Sequence, residues 1–280
     1  MLRSGTLTKI PLISPAETDL AYAAGQRVLM VHQRLVEFIK EGTTLAKIDA
    51  EVAKILAELQ CKSCFLGYRI PRLPPFPSHA CLSVDACVVH GTAGSLTKPL
   101  TEGMLLKVDI GVVHRGFIGD AAWTYAIKRY PSDQVRLLME SGKQSLARGV
   151  QMLKPGNLLI HWAREVQTCV EREYGFHLVR GLGGHGYGRK LHLPPFVSNV
   201  VPAHTQEWPE SVLPCEPGML VAVEPMIGLT TSETVQRRNE WPVYMADGLP
   251  SVHYEHDVLV TASGPRVLTE GMEKLPDIVG

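Results

Sequence analysis

Apolar side chains recur at helical spacing through Val28, Val31, Leu35 and Phe38. Ahead of them, Ser14-Pro15-Ala16-Glu17 supplies a cap serine, a first-turn proline and a third-position glutamate. The pattern predicts one helix from about Pro15 to Lys40. Gly42 ends it, Thr44 can cap a second helix, and Leu45, Ile48, Val52, Ile55 and Leu59 continue the helical period. The same arrangement returns later in the chain. Ser132 can cap a helix running through Val135, Leu138 and Leu146 to Leu153, Pro155-Gly156 stops it, and Leu159, Trp162, Val166 and Val170 start another.

The two copies match in detail. Leucine falls three places after each stop glycine (Leu45, Leu159), and a Glu-Val pair follows in each copy (Glu51-Val52, Glu165-Val166). Each copy then leads to a strand-like run of the same form. Gly103-Met104-Leu105-Leu106-Lys107-Val108-Asp109 closes on an aspartate, and Gly218-Met219-Leu220-Val221-Ala222-Val223-Glu224 closes on a glutamate. Self-similarity at fixed offsets is the trace of a duplicated unit. The expectation is an α+β fold of two helix-helix-strand halves, about 15–130 and 131–270, related by a pseudo-two-fold axis around a central antiparallel sheet. The two Gly-Met-Leu strands are expected to pair across that axis and bring Asp109 towards Glu224.

Between Leu105 and Ile127 the residues read as two strands around Val113-His114-Arg115-Gly116, whose glycine can take the positive φ of a tight hairpin. A symmetric loop there sets Asp109 opposite Asp120, with Cβ atoms about 4.5–5.5 Å apart. Two carboxylates at that distance repel, and the flanking Val108, Ile110, Val112, Phe117 and Ile118 argue for burial, so a cation or a shared proton is required. Glu224 follows an apolar run, and Glu255 lies in Tyr254-Glu255-His256-Asp257-Val258-Leu259-Val260. The basic side chains near these four acids are Lys107 and Arg115, expected on the other face of the strand or in the loop, which leaves metal ions as the simpler counter-charge.

Gly183-Gly184-His185-Gly186-Tyr187-Gly188 offers a histidine in an expected loop where glycines permit close backbone approach. The formal GxGxxG at Gly181, Gly183 and Gly186 lacks a following helix, because Leu193-Pro194-Pro195 comes within a few residues, and this argues against dinucleotide binding. No phosphate loop, GxSxG or HExxH is present. Two aspartates, two glutamates and one histidine form an oxygen-rich set suited to a pair of divalent ions such as Mn, Fe, Co or Zn. Such a pair can generate a hydroxide and polarise a carbonyl.

Composition narrows the classes further. The chain has 280 residues, 45% of them apolar, and Lys plus Arg (28) balances Asp plus Glu (28), so no charge excess points to nucleic acid or an anionic membrane. The longest apolar runs, such as Met219 to Val223, are far too short to span a bilayer, and no signal-like segment follows the N-terminus. A cytoplasmic protein is expected. Six cysteines are too few for a disulfide scaffold. Cys61 and Cys64 form a CxxC without the second pair that a structural zinc site needs, and read as packed side chains.

From about Ser14 to about Thr269 the chain resembles the pita-bread metallopeptidases, most closely the type I methionine aminopeptidases. The matching motifs are Val89-His90-Gly91, Val108-Asp109-Ile110, Gly119-Asp120, Gly184-His185-Gly186-Tyr187-Gly188-Arg189, His192, Val223-Glu224-Pro225-Met226 and Tyr254-Glu255-His256. The resemblance implies a single pita-bread catalytic domain, 15–280, behind a short N-terminal extension, 1–14. It implies a dinuclear centre in which Asp109 holds one ion, His185 and Glu224 hold the other, and Asp120 and Glu255 bridge them. It further implies attack of a metal-held hydroxide on the first peptide bond, with Glu224 as proton shuttle. His192 would contact the substrate carbonyl or tetrahedral intermediate, and His90 would lie near the scissile amide, tasks that suit a hydrogen-bonding imidazole.

The side-chain pocket implied by the resemblance is formed by Cys64, Tyr68, Cys81, Leu191 and Trp241, together with His90 and His192. Several features depart from the family pattern: the long Arg69–His79 segment with four prolines, Leu191 in place of a common phenylalanine, and His192-Leu193-Pro194-Pro195 in place of a common His-Glu-Glu-Pro. Asp109-Ile110-Gly111 is similar to the proline-specific relatives. The implied activity is removal of initiator methionine from nascent chains when the second residue is small. Any ribosome association would run through the catalytic domain. The alternatives are an Xaa-Pro exopeptidase of the same fold, whose members usually carry a large extra N-terminal domain, and a non-catalytic binding member.

Overall fold

The computed structural model describes residues 9–204 and 206–280, so residues 1–8 of the expected N-terminal extension lie outside the described residues. After a 3-10 turn at Pro15–Glu17 come helices α1 (Thr18–Phe38), α2 (Leu45–Glu58), α3 (Asp133–Val150) and α4 (Leu159–Gln167). Their starts follow the sequence signals. The Glu17 carboxylate accepts from Ser14 N (3.0 Å) and Oγ (2.9 Å), Thr44 Oγ1 accepts from Lys47 N (3.4 Å), and Ser132 Oγ accepts from Val135 N (3.2 Å).

The strands of the first half are β1 (Lys62–Ser63), β2 (Cys81–Val84), β3 (Cys87–Val89), β4 (Leu105–His114) and β5 (Phe117–Ile127). Those of the second are β6 (His177–Leu178), β7 (Gly183–Gly186), β8 (Leu193–Ser198), β9 (Leu220–Val223), β10 (Met226–Gly228), β11 (Thr234–Gln236), β12 (Val243–Met245), β13 (Ser251–His253), β14 (His256–Thr261), β15 (Gly264–Val267) and β16 (Ile278–Val279). One five-stranded sheet joins β4 and β5 to β1, β2 and β16, and another runs β15-β14-β9-β7-β8. All pairings are antiparallel except β16 with β5. Two three-stranded sheets, β13-β10-β6 and β11-β12-β3, complete an α+β fold.

The β4–β5 register differs from that of a symmetric Val113–Gly116 loop. His114 pairs with Phe117 across a two-residue turn, and Asp109 stands opposite Ala122, while Asp120 stands opposite Gly111. The cause is local. A tight hairpin turn needs positive φ at both central residues, and Arg115 (49°) and Gly116 (82°) both adopt it. Moving the turn centre by one residue shifts each cross-strand partner by two, which preserves the face. Asp109 and Asp120 are therefore diagonal neighbours on one side of the sheet.

The two Gly-Met-Leu strands do not pair with each other. Both edges of β4 are taken, by β5 and by β1 with β2, and β9 lies between β14 and β7. The sheets meet instead through β5 and the β13–β14 junction. Glu255 N donates to Ala122 O (2.9 Å), Asp120 N donates to Asp257 Oδ2 (2.8 Å), and Thr124 Oγ1 both accepts from His253 N (3.0 Å) and donates to His253 O (2.8 Å).

Helices cover the outer faces. His32 on α1 is fully buried, with Nδ1 2.9 Å from Tyr125 Oη and Nε2 3.2 Å from Ala121 O, which ties α1 to β5. On α3, a Cβ at Gly142 would come within 2.5 Å of the Tyr254 ring, so that helix lies directly on the β13–β14 junction. The buried apolar core thus sits between helices and strands, and the sheet surfaces turned towards each other carry the acids.

Candidate active site

Five elements deliver the sequence-derived acids and histidine to one place. Asp109 comes from β4, Asp120 from β5, His185 from β7, Glu224 from the end of β9, and Glu255 from the β13–β14 junction. Gly183–Gly186 forms a strand where the sequence pattern predicts a loop. Close backbone approach is still its requirement, since a Cβ at Gly184 would fall 2.1 Å from Ala222 O. That contact lets β7 lie against β9 and brings His185 Nε2 to 3.9 Å from Glu224 Oε1.

Ligand-capable atoms of Asp120, His185 and Glu255 all lie within 4.8 Å of one another. Asp120 and Glu255 are 3% and 2% exposed, and Asp109 Oδ1 and Asp120 Oδ1 are buried without a hydrogen-bond partner. Uncompensated carboxylate oxygens of this kind call for a cation. Burial pushes these acids up: Asp109 to about 7, against an opposing pull from His253, and Asp120 and Glu255, with neighbouring carboxylates adding to the effect, well above the usual carboxylate range. Burial likewise pushes Glu224 up to about 8. It holds His185 down, to about 3, with the His192 ring adding to the effect, so the imidazole is neutral and free to ligate. The donor set therefore fits divalent metal.

Lys107 is not on the opposite face from the acids. It lies two residues before Asp109 and so shares its face, and its ammonium is spent on the Asp85 carbonyl, 2.6 Å away. Arg115 is in the turn, as expected.

A cavity of about 390 Å³ opens on the cluster and extends between Tyr68, Leu191, Cys81, Phe76 and Trp241. Trp241 is fixed in its wall, with its ring edge-on to Phe76 (5.2 Å between centroids) and to His90 (6.0 Å), and its Nε1 donating to Pro74 O (2.8 Å). Phe65, Ile70 and Phe76 also line this chamber without a sequence motif of their own, although two of them lie in the long Arg69–His79 segment. Cys64 is not on the chamber wall. Its sulfur packs against Gly111, where an added Cβ would meet it at 2.3 Å.

His90 sits at the rim with φ of 58°, an uncommon conformation for a side-chain-bearing residue and one found at constrained sites. Burial lowers it to about 4. His192 stacks edge-on against His185 at 4.3 Å and is also lowered by burial. Both are neutral hydrogen-bonding groups at pH 7.

Beyond these two histidines lies a second cavity of about 430 Å³, which shares His90, His185, His192 and Glu224 with the first and is otherwise walled by Leu182, Leu193, Phe196 and Met226. The cluster therefore stands at the boundary of two chambers. One more buried side chain joins it: His253 Nε2 approaches Glu224 Oε2 to 3.2 Å without good hydrogen-bond alignment. The position of His253 two residues before Glu255 is the one sequence signal for it.

The chain matches metallopeptidase family M24 over residues 19–262. It is 33% identical to a methionine aminopeptidase of Aquifex aeolicus over 93% of this chain and 99% of that protein. It is 34% identical to methionine aminopeptidase 1 of Mycobacterium tuberculosis over 94% and 96%. Among solved structures, methionine aminopeptidase from Thermotoga maritima superposes with a TM-score of 0.84 at 30% identity, covering 93% of this chain and 99% of that one. A prolidase from Pyrococcus furiosus shares the fold at a TM-score of 0.70 and 20% identity, but the chain spans only 65% of its length. With relatives aligned end to end and the M24 match running through every strand that carries the cluster, this chain belongs to metallopeptidase family M24, among its methionine aminopeptidases.

Proposed function

We propose that the protein is a metal-dependent aminopeptidase that removes N-terminal methionine from peptides and nascent proteins. The observation that carries this reading is the union of the acid–histidine cluster with a chamber lined by Phe65, Phe76 and Trp241. A free amino terminus fits beside the acids, and an unbranched thioether side chain fits among Phe65, Phe76 and Trp241, since methionine sulfur packs favourably on aromatic rings.

In this reading Asp109, Asp120, His185, Glu224 and Glu255 would hold two divalent ions. When bound, the ions would lower the pKa of a water molecule and polarise the scissile carbonyl. Glu224, as a carboxylate beside the ions, would take a proton from the water and pass it to the leaving nitrogen. His192 is placed to donate to the carbonyl oxygen as charge develops, and His90, fixed by Trp241 on one side, to orient the scissile amide. The metals the donor set suits are Mn, Fe, Co and Zn.

Among the described residues no helix is long and apolar enough to cross a membrane. A nascent-chain substrate places the work in the cytoplasm near the ribosome, and co-sedimentation with ribosomes tests that placement. All five donors are present, which disfavours a non-catalytic role. The likeness to prolidase is one of fold, and the side-chain chamber supplies no feature that selects proline at the second position.

The deciding experiment is release of free methionine from Met-Ala-Ser after chelation and resupply of Mn, Co or Fe, with Ala-Pro-Ser alongside. Metal-dependent cleavage of Met-Ala-Ser alone is expected. Cleavage of Ala-Pro-Ser alone would move the assignment to the proline-specific branch.

A further inference from the structure

Lys107 is a buried cation that the proposed reaction does not use. It is 1% exposed, yet its Nζ donates to a single protein acceptor, the Asp85 carbonyl, at 2.6 Å. The same oxygen also accepts from Ser251 N (3.1 Å) and Ser251 Oγ (3.2 Å). Three donors from two elements thus converge on one carbonyl. Asp85 itself has φ of 48° and is tied back to β4, its N donating to Leu105 O (2.9 Å) and its Oδ1 accepting from Leu105 N (2.8 Å).

The elements joined at this point are those that carry the site. Lys107 precedes Asp109 on β4. Asp85 sits in the turn before β3, which leads to His90. Ser251 begins β13, which runs through His253 to Glu255. Across the sheet, Lys107 pairs with Thr124, whose hydroxyl holds the His253 backbone through both N–H and C=O. His253 in turn places Nε2 3.2 Å from Glu224 Oε2.

We propose that Lys107 is a positioning residue, a fixed internal cation that clamps the Asp85 carbonyl between β4 and β13 and thereby sets His253 against Glu224 and Glu255 in its place beside the metal. A buried ammonium is costly unless it is well used, and its single strong contact is to the oxygen on which β13 also anchors through Ser251.

The inference rests on the proposed metal reading and can be separated from it. Apo-protein is titrated with Mn by calorimetry, and turnover of Met-Ala-Ser is measured, for the unsubstituted chain, Lys107→Met and Ser251→Ala. Methionine keeps the length and removes the charge, and replacing a buried ion by an apolar group is often neutral or stabilising, so the melting temperature is expected to hold. Removing partners that orient ligands typically costs about 10–100-fold in metal affinity or activity. We expect Lys107→Met to bind Mn at least about tenfold more weakly and to lose kcat with KM unchanged, and Ser251→Ala to lose less in the same direction.

A cation acting only through its charge would give the opposite sign, because its removal would tighten Mn binding. Unchanged or tighter Mn binding by Lys107→Met with normal kcat overturns the inference. If Lys107→Met does not fold, wild-type behaviour of Ser251→Ala overturns it. Failure of the unsubstituted protein to bind Mn overturns the metal reading and the inference together.

Discussion

Tyr68 Oη lies 2.6 Å from Nδ1 of His192, and this contact leaves the other ring nitrogen, Nε2, as the free one. Burial raises the phenol, so it keeps its proton and can donate to Nδ1. Burial also lowers His192, which is therefore neutral. With the phenol as donor, the imidazole proton is on Nε2, the state needed to donate to a substrate carbonyl.

Tyr68→Phe is accordingly expected to lower kcat with little change in KM. A single hydrogen bond is worth about 0.5–1.5 kcal/mol, which corresponds to roughly a two- to twelvefold loss. Steady-state kinetics on Met-Ala-Ser measures it, and an unchanged kcat would show that the tyrosine does not set the ring.

Without metal, stability should fall as pH rises from about 6.5 to about 8. Asp109 at about 7 and Glu224 at about 8 are raised above their unfolded values, so the folded state binds more protons than the unfolded state until pH passes those values. The buried histidines act in the opposite sense. His32, His90, His253 and His256, all at about 4, and His185, at about 3, favour the fold increasingly as pH rises through 6.5, with a small residual gain above it that the carboxylates outweigh. Thermal melts in chelator at pH 6.5, 7.2 and 8.0 sample the window in which the carboxylates dominate. A melting temperature that rises across this window contradicts the account, and saturating divalent ion should flatten the fall.

The parts legible in the sequence are those fixed by short-range chemistry. Caps at Ser14, Thr44 and Ser132 are decided within one turn, and each of Asp109, Asp120, Glu224 and Glu255 adjoins an apolar strand that declares its burial. The hairpin register is not legible, because it depends on Arg115 adopting a positive φ that arginine seldom takes. His253 is hidden because its partner, Glu224, is remote in sequence. Phe76 is hidden because it lies in a proline-rich segment without periodicity, held only by tertiary contacts such as Gly67 N to Phe76 O (2.8 Å). Lys107 departs from expectation because strand alternation, counted by twos from Asp109, puts it on the face of the acids and not on the other one.

Asp257 is a fully buried acid whose Oδ2 accepts from Asp120 N while Oδ1 has no partner. Burial raises it well above the usual range, and its charge helps to raise Asp120. Asp257→Asn keeps the accepting oxygen and removes the charge. The apo-protein should melt at a higher temperature than wild type at pH 8, with the difference shrinking towards pH 5, where the acids are protonated in both. An equal or lower melting temperature at pH 8 would mean that the Asp257 charge does not destabilise the metal-free fold.

The second chamber should select the residue next to the methionine. It shares His90, His192 and Glu224 with the first, so in the proposed reading the residue after the scissile bond would enter it. The rest of its lining, which includes Leu182, Leu193, Phe196 and Met226, carries no charged side chain, and Phe196 is 39% exposed. An aspartate or lysine against the apolar part of that wall would lose solvation, whereas alanine or valine would bury apolar surface worth about 25 cal/mol per Å². Comparing Met-Ala-Ser, Met-Val-Ser, Met-Asp-Ser and Met-Lys-Ser, we expect kcat/KM at least about tenfold lower for the two charged peptides, a gap of about 1.4 kcal/mol. Phe196→Ala, at an exposed position, should lower kcat/KM for the valine peptide more than for the alanine peptide, because only the larger side chain reaches that wall. Equal cleavage of all four peptides would place the second residue in solvent and leave this chamber without a part in selection.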